Sequence, residues 1–208
     1  MTKKNPHQQF TLSLSQNLTL QGQYVSLEPM NLGHVDELSK AVSDGELWNL
    51  KETPIPNPDS MKMYMENAIG QREKGRQLPF IVRRLSDGIV VGTTRFYNIK
   101  PANRNLSIGD TWYSASVHRT AINTESKLLL LTHAFEKAGC ISVQWHTVHE
   151  NTRSQQAIKR LGATFEGVLR NHTILPDGRI CHIHCFSMLD SEWEAAKLHL
   201  RQRLAAHD

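Results

Sequence analysis

Two polar segments, each placed before a predicted helix, carry the residue types best suited to chemistry in this chain. The first runs from Ser116 to Glu125, between a predicted strand and a long helix, and combines small polar residues with Arg119. Unpaired N–H groups at a helix N-terminus and the positive end of the helix dipole attract phosphate. The segment is therefore a candidate phosphate-binding loop, to which Arg119 adds positive charge. An ordinary strand–helix connection is the alternative.

The second segment runs from Glu150 to Ser154 and leads into a helix that ends at Gly162. Asn151 is a residue type that caps helix N-termini. Ser154, three residues later, lies near the same helix mouth and faces the cleft between neighbouring strands. The run Asn-x-x-Ser-x-x-x-Ile-x-x-Leu-Gly-Ala is more specific than a helix cap, so it points to a second part of the same site.

A third segment, Cys181-His182-Ile183-His184-Cys185, has the residue types of a metal site. Side chains alternate along a strand, so its cysteines face one way and its histidines the other. They cannot all bind one tetrahedral ion, and we expect a structural role and no metal. No two glycines are two residues apart, so a dinucleotide fingerprint is absent. Two glycine pairs have the spacing of a phosphate loop, but the Lys-Ser/Thr that must follow is missing after both, and no G-x-S-x-G esterase elbow is present.

The elements that must position these segments follow from hydrophobic periodicity and turn residues. Strands are predicted at residues 18–29, 78–85, 89–99, 106–113, 141–148, 164–175 and 179–189. Helices are predicted at residues 31–45, 59–74, 124–138 and 152–161, with a last helix after Asp190 that Ser191 caps. This order predicts an α+β fold, with a mixed, mostly antiparallel sheet flanked by helices.

Composition bounds the function. The 208 residues, 39% of them hydrophobic, suit one domain with a core. We expect residues 1–17 to be a polar extension and residues 18–208 to be the domain. A net charge of +4 without a dense Lys/Arg stripe favours anionic partners and disfavours nucleic acid. No apolar run is long enough for a membrane helix, and no signal peptide is evident. Three cysteines are too few, and odd in number, for a disulfide scaffold. We therefore expect a cytoplasmic protein.

From about Leu18 to Trp193 the chain resembles the Gcn5-related N-acetyltransferases (GNAT), in particular the RimJ/RimL ribosomal-protein acetyltransferase branch. The resemblance is carried by Leu27-Glu28-Pro29, Ile108-Gly109, Asn123-Thr124-Glu125, Asn151-Thr152-Arg153-Ser154, Leu161-Gly162-Ala163, Glu166-Gly167 and Asp190-Ser191-Glu192-Trp193. It implies the GNAT acyl-CoA N-acyltransferase fold. It also implies direct transfer of an acetyl group from acetyl-coenzyme A (acetyl-CoA) to a primary amine.

The resemblance further implies where acetyl-CoA binds. Its pyrophosphate would meet the helix-mouth loop, and its pantetheine would lie between the strand ending near Tyr113 and strand 141–148. Asn151 would contact the cofactor, and Ser154 would protonate the departing thiolate, directly or through water. A backbone N–H near Trp112 or Tyr113 would stabilise the developing oxyanion. The expected cofactor-binding residues are Trp112, Tyr113, His118, Arg119, Thr120, Ala121, Ile122, Asn123, Thr124, Asn151 and Ser154.

The sequence departs from the family in two places. The loop motif Gln/Arg-x-x-Gly-x-Gly/Ala reads His118-x-x-Ala121-x-Asn123, and a Cβ at residue 121 is expected to narrow the backbone angles and crowd the phosphates. Ser107 replaces the glutamate that often precedes Ile-Gly as general base. Asp110 is the candidate substitute if a β-bulge turns it to the face of Ser107; a solvated strand-end carboxylate is the alternative. We include Ser107, Asp110 and Ser154 as candidate catalytic residues.

The missing glutamate bears on the acceptor. An α-amino group has a pKa of about 7.7–8.0 and a lysine amine about 10.4, so the first loses its proton more easily. We therefore expect a peptide or protein N-terminus, or an aminoacyl-type small molecule. Its pocket is expected to draw on loop Trp48–Pro58 and on Met61 and Met65 in the following helix.

Other functions stay open from the sequence alone. A GNAT-fold protein that binds coenzyme A or another ligand without catalysis is the main alternative. A nucleic-acid-binding module rests only on the sequence pI of about 9.0. A homodimer is also left open.

Overall fold

The computed structural model describes residues 10–11 and 18–207, and it is built around one mixed sheet. Within these residues the strands are β1 (Leu20–Gln21), β2 (Val25–Pro29), β3 (Leu78–Arg84), β4 (Val90–Lys100), β5 (Asn105–Tyr113), β6 (Ser142–Val148), β7 (Thr164–Ile174) and β8 (Ile180–Leu189). The helices are α1 (Val35–Ser43), α2 (Met61–Glu73), α3 (Ala121–Thr132), α4 (Thr152–Lys159) and α5 (Trp193–Ala205). The strand order is β1-β2-β3-β4-β5-β6-β8-β7. Neighbours are antiparallel except β5 and β6, which are parallel, so the predicted α+β class is confirmed.

Three predicted boundaries are wrong. Residues 18–29 form two short strands instead of one, because the chain reverses between Gln21 and Val25. Helix α3 begins three residues earlier than predicted, because Thr120 caps it. Helix α5 has no side-chain cap and begins at Trp193, so Ser191 is not its cap.

Different helices cover the two faces of the sheet. One core lies under α3, α4 and α5 and contains Phe80, Phe96 and Trp145 of the strands. The other lies under α1 and α2 and contains Ile81 and Trp112. Adjacent strand residues such as Phe80 and Ile81 enter opposite cores, as alternation along a strand requires.

The parallel strands β5 and β6 separate soon after they meet. They pair only from Asn105 to Ser107 and from Ser142 to Gln144. Beyond these residues they diverge and leave a V-shaped cleft. Because parallel strands end at the same edge of a sheet, helices α3 and α4, which follow them, both begin near the open end of the cleft.

Of the predicted N-terminal extension, only Phe10 and Thr11 are described. The Thr11 N–H donates to the Ala138 carbonyl (3.1 Å) and its hydroxyl to the Lys137 carbonyl (2.8 Å). This places the two residues beside the end of the α3 region. The other residues of 1–17 lie outside the described part. None of the described helices is both long enough and apolar enough to cross a membrane.

Candidate functional site

A cavity of about 540 Å³ opens at the N-terminus of α3. The turn between β1 and β2, the end of β3 and the loop before α3 form its walls. Its lining includes Tyr24, Arg84, Ser116, Arg119, Thr120, Ala121 and Ile122. The structure thus places four predicted cofactor-binding residues, 119–122, around one cavity. The first-turn N–H groups of a helix have no intrahelical acceptor and are available to an anion there.

Thr120 begins α3 as its cap. Its hydroxyl donates to the Val117 carbonyl (2.7 Å) and accepts from the Ile122 N–H (3.4 Å). Ala121 is therefore the first helical residue, and the left-handed φ of 65° falls on Arg119 instead. The predicted backbone restriction at Ala121 is wrong, because alanine adopts helical angles without cost.

Asn123 and Thr124, which the sequence also predicted to bind the cofactor, contribute less to the cavity than expected. Thr124 is buried, and because it is the fourth residue of α3 its backbone N–H bonds within the helix, so it offers a ligand no donor. Asn123 is half-buried and does not line the cavity.

The end of β5 offers a backbone donor to the cleft. The Ser114 N–H donates to the Val91 carbonyl on β4 (2.8 Å). Because backbone groups alternate in direction along a strand, the N–H of Tyr113 points away from β4, toward the cleft. The Tyr113 carbonyl accepts from His118 Nε2 (2.9 Å), and burial lowers the pKa of that imidazole. The side chain of Trp112 lies in the core under α1 and α2, on the opposite face of the sheet from the Tyr113 side chain.

At the mouth of α4, Asn151 and Ser154 meet as the sequence predicted. Asn151 Oδ1 accepts from the Ser154 N–H (2.8 Å) and caps the helix. Asn151 Nδ2 donates to Thr53 Oγ1 (2.9 Å). The half-buried Ser154 hydroxyl has no hydrogen-bond partner among the described residues, so it is available to a ligand.

The loop from residue 50 to residue 57 reaches the start of α4. Besides the Thr53–Asn151 bond, Arg179 Nη2 donates to the Lys51 carbonyl (2.5 Å) and Nη1 to Glu150 (3.1 Å). The loop therefore joins the α1/α2 side of the molecule to the turn between β7 and β8. The sequence expectation that this loop borders an acceptor pocket stays a prediction, now with a defined path for the loop.

The predicted substrate residues in α2 need a correction. Met61 and Met65 are fully buried in the core under these helices, so they cannot touch an acceptor. They support the wall from behind, as flexible side chains do in a core. Trp48 is half-buried against the same core and remains accessible.

A β-bulge on β5 moves Asp110. Arg95 pairs with Gly109 and Thr93 with Trp112, so two residues of β5 oppose one of β4. Asp110 takes a φ of 46°, and its half-exposed carboxylate lies 3.3 Å from Arg95 Nε. The β-bulge that the prediction required is present, and it turns Asp110 toward Arg95 on the face of Ser107. The role of Asp110 as a base stays a prediction.

Ser107 lies at the apex of the cleft, where β5 and β6 last pair. Its side chain is fully buried, and no described residue meets its Oγ in hydrogen-bonding geometry. Ser107 therefore does not meet an acceptor directly, which corrects its candidate catalytic role.

Sequence reasoning missed Glu125, which fixes one wall of the cavity. Its buried carboxylate accepts from the N–H groups of Gln23 (2.7 Å), Tyr24 (2.7 Å) and Val25 (2.8 Å). A Cβ at Gly22 would overlap this carboxyl group. The sequence did contain a signal for the burial of Glu125. It lies three residues before Leu128 and therefore on the face of the helix whose apolar residues are buried.

A second missed residue is Lys127, which lies beneath the bulge. Its amine is fully buried and donates to Thr111 Oγ1 (2.7 Å) and Thr94 Oγ1 (3.2 Å). Because burial disfavours the charged form, its pKa falls to about 7. The described residues give it no carboxylate partner.

A third missed pair joins β4 to β6 across β5. The Tyr97 hydroxyl and His146 Nδ1 are 3.1 Å apart. Gly109 makes room for this bridge, because a Cβ there would lie 2.7 Å from Tyr97 Cε1. Neither residue belongs to a local motif, so only the strand register reveals the pair.

The cysteine and histidine segment lies on β8, as an alternating strand. Cys185 pairs with His146 on one face, while His184 contacts Phe165 on the other (5.2 Å between ring centroids). The cysteines are free thiols. Among the described residues, no group of three or more histidines, cysteines or carboxylates is arranged to hold a metal ion.

The cleft and its surrounding fold have relatives among known proteins. The family model described as an acetyltransferase (GNAT) domain matches residues 25–164. A GCN5-related N-acetyltransferase from Brucella melitensis is 30% identical, with 92% of this chain and 87% of that chain covered and a TM-score of 0.81. No curated protein sequence matches significantly.

Two more distant structures share the fold. RimJ from Mycobacterium smegmatis, solved in complex with CoA-disulfide, is 21% identical over 86% of this chain and 88% of that chain, with a TM-score of 0.73. RimL, a ribosomal-protein alpha-N acetyltransferase, is 18% identical over 83% of this chain and 94% of that chain, also with a TM-score of 0.73.

Proposed function

This chain belongs to the GNAT acetyltransferase family, and from that premise we propose that it acetylates α-amino groups. Family membership fixes the reaction as transfer of an acetyl group from acetyl-CoA to an amine. The proposed acceptor is the N-terminus of a peptide or protein, or an aminoacyl-type small molecule.

The cavity and cleft fit acetyl-CoA, which supplies the activated acetyl group when bound. The cavity at the start of α3 combines Arg119 with first-turn N–H groups, which suits a diphosphate. The cleft between β5 and β6 exposes strand backbone, including the Tyr113 N–H, which suits the amide groups of a pantetheine arm. The unpartnered Ser154 hydroxyl lies at the mouth of the same cleft.

Each of these groups then has a proposed task. The Tyr113 N–H donates to the carbonyl oxygen as negative charge develops there, which is an effective form of catalysis in a site screened from water. Ser154 donates its proton to the departing sulfur, and Asn151 holds the backbone of Ser154 in place. Binding both reactants in one cleft supplies most of the acceleration through proximity.

The residue at position 107 supports the choice of an α-amine as the acceptor. A glutamate there would deprotonate a strongly basic amine, but the position holds a buried serine, and Asp110 is engaged by Arg95. An α-amine needs less help, because its pKa is about two to three units below that of lysine. RimL, which shares the fold, is named for acetylating α-amino groups.

A paired peptide assay tests the proposed acceptor. One peptide has a free N-terminus and no lysine, and its matched control has a blocked N-terminus and one lysine. At pH 7 the neutral fractions of the two amines differ by roughly 200- to 400-fold, from their ordinary pKa values. We expect thiol release from acetyl-CoA to favour the free N-terminus by about that factor.

Two results would contradict the proposal. Faster turnover of the lysine peptide or of polyamines would assign the enzyme to a different acceptor class. Calorimetric binding of acetyl-CoA without turnover of any amine would indicate a GNAT-fold binding protein.

A further inference from the structure

The bridge between Tyr97 and His146 lies beside Ser107, the position at which the family glutamate is missing. Tyr97 pairs directly with Ser107 across the β4–β5 ladder. His146 follows Gln144, the last β6 residue that pairs with β5, by two residues and therefore lies on the same face. The bridge thus spans the apex of the cleft, beside the buried Ser107.

Both members of the bridge are partly open to solvent. Tyr97 and His146 are half-buried, whereas Ser107 beneath them is fully buried. The core under α3 lies on the opposite face, because Phe96 and Trp145, their sequence neighbours, are buried there. The phenol and the imidazole therefore face the side of the sheet on which α1 and α2 pack.

We propose that His146 is the base that takes the proton from the acceptor amine, and that Tyr97 is the positioning residue that holds its ring. This inference rests on the proposed N-acetyltransferase function. It assigns the missing proton acceptor to β6, next to the position on β5 where the family has a glutamate.

The hydrogen bonding of His146 leaves one ring nitrogen for this task. When Nδ1–H donates to the Tyr97 oxygen, Nε2 carries the lone pair. Nε2 has no hydrogen-bond partner among the described residues. Burial lowers the pKa of His146, and the nearby His172 and Lys100 lower it further, so the ring is neutral at pH 7. The titratable and charged groups around the bridge are Tyr97 and Lys100 on β4, Asp110 on β5, Cys185 on β8 and His172 on β7.

With His146 as the base, every proton in the reaction is accounted for. The acceptor ammonium first gives one proton to His146 Nε2 and becomes a neutral amine. The amine nitrogen then bonds to the acetyl carbon while the carbon–sulfur bond breaks. Its second proton replaces the one that Ser154 gives to the sulfur, so the products are the amide and the free thiol. His146 releases its proton to solvent.

The His146→Gln variant tests the base. We expect kcat/KM for an α-amine peptide to fall about 100-fold at pH 7, the lower end of what a general base contributes. The loss should shrink above pH 8, because the amine then loses its proton unaided. The acid limb of the pH profile should move from below pH 6.5 to near the pKa of the amine. His199→Gln, which removes an exposed histidine on α5, is the matched control and should keep the wild-type profile.

A direct titration provides a second readout without acetyl-CoA. Nuclear magnetic resonance of the imidazole nitrogens should show His146 neutral at pH 7. Tyr97→Phe should change its tautomer populations and lower kcat more than it raises KM.

The outcomes separate this inference from the proposed function. An active wild-type enzyme with an unchanged pH profile in His146→Gln, or a His146 ring protonated at pH 7, overturns the role of His146 alone. A wild-type protein that acetylates no amine overturns the proposed function, and the role of His146 falls with it.

Discussion

At Ser154 the hydroxyl group and the backbone N–H have separate tasks. The N–H is bonded to Asn151 and completes the cap of α4, whereas the hydroxyl is unpartnered at the mouth of the cleft. Removing the hydroxyl therefore leaves the helix cap in place. This separation makes Ser154 a residue at which turnover and binding can be measured independently.

We expect Ser154→Ala to slow turnover by about 100-fold, because the departing sulfur loses its proton donor. The dissociation constant for acetyl-CoA should stay within about twofold, since N–H donors at the start of α3 hold the diphosphate. Steady-state kinetics and calorimetry measure the two quantities. Thr152→Ala, which removes an exposed hydroxyl from the same helix, is the control. Equal losses in binding and turnover would instead assign the Ser154 hydroxyl to binding.

Among the secondary-structure elements, the sequence correctly predicted those features that depend only on residues close together in the chain. The order of strands and helices follows from periodicity and turn residues, and the Asn151–Ser154 cap follows from spacing. The reversal at Gly22 was missed, because the alternation of apolar residues continues through it. What holds this turn is Glu125, which lies about a hundred residues further along the chain.

The site residues that were not predicted were missed for the same reason: their contacts join distant parts of the chain. Tyr97 and His146 meet only because β4 and β6 flank β5 in the sheet and Gly109 leaves space between them. No spacing within one segment encodes that meeting. The burial of Met61 was likewise beyond reach, because a methionine stripe on a helix suits a pocket wall and a core equally.

The contact between α3 and the β1–β2 turn leads to a prediction for Glu125→Gln. The amide keeps one acceptor oxygen but places its NH₂ group against the turn N–H groups that the carboxylate accepted. We expect a loss of about 2–4 kcal/mol in the free energy of unfolding, since buried donors lose their acceptor. Affinity for acetyl-CoA should fall too, because Tyr24 of this turn lines the cavity.

Urea denaturation and calorimetry measure these two effects. Glu73→Gln, at an exposed position near the end of α2, removes the same charge without touching the turn. If Glu125→Gln unfolds at the same urea concentration as Glu73→Gln, the carboxylate does not hold the turn.

Across the whole molecule, burial favours the neutral forms of several titratable groups. It lowers the pKa of the histidines 34, 118, 133, 146 and 184 and that of Lys127, and it raises the pKa of Tyr64, Tyr97, Tyr113 and Cys140. The unfolded chain binds more protons than the folded one at the histidines below about pH 6.5, so stability falls as the solution is acidified. The buried thiol and phenols affect stability above about pH 9. In that range the unfolded chain loses protons before the folded chain does, so stability falls again as the pH rises.

Between pH 7 and pH 9 Lys127 dominates the pH dependence of stability. Its pKa is about 7 in the folded protein, against an ordinary value of 10.5, so the unfolded chain holds a proton that the folded chain has released. The free energy of unfolding should therefore rise by about 2 kcal/mol from pH 7 to pH 9. Lys127→Met removes this titration, and its two hydroxyl partners, Thr94 and Thr111, can still bond each other at 2.8 Å. We expect the variant to show a flat profile over this interval in urea denaturation, yet to lose stability below pH 6.5 as the parent does. Equal slopes for the two proteins between pH 7 and pH 9 would show that Lys127 stays charged beneath the bulge.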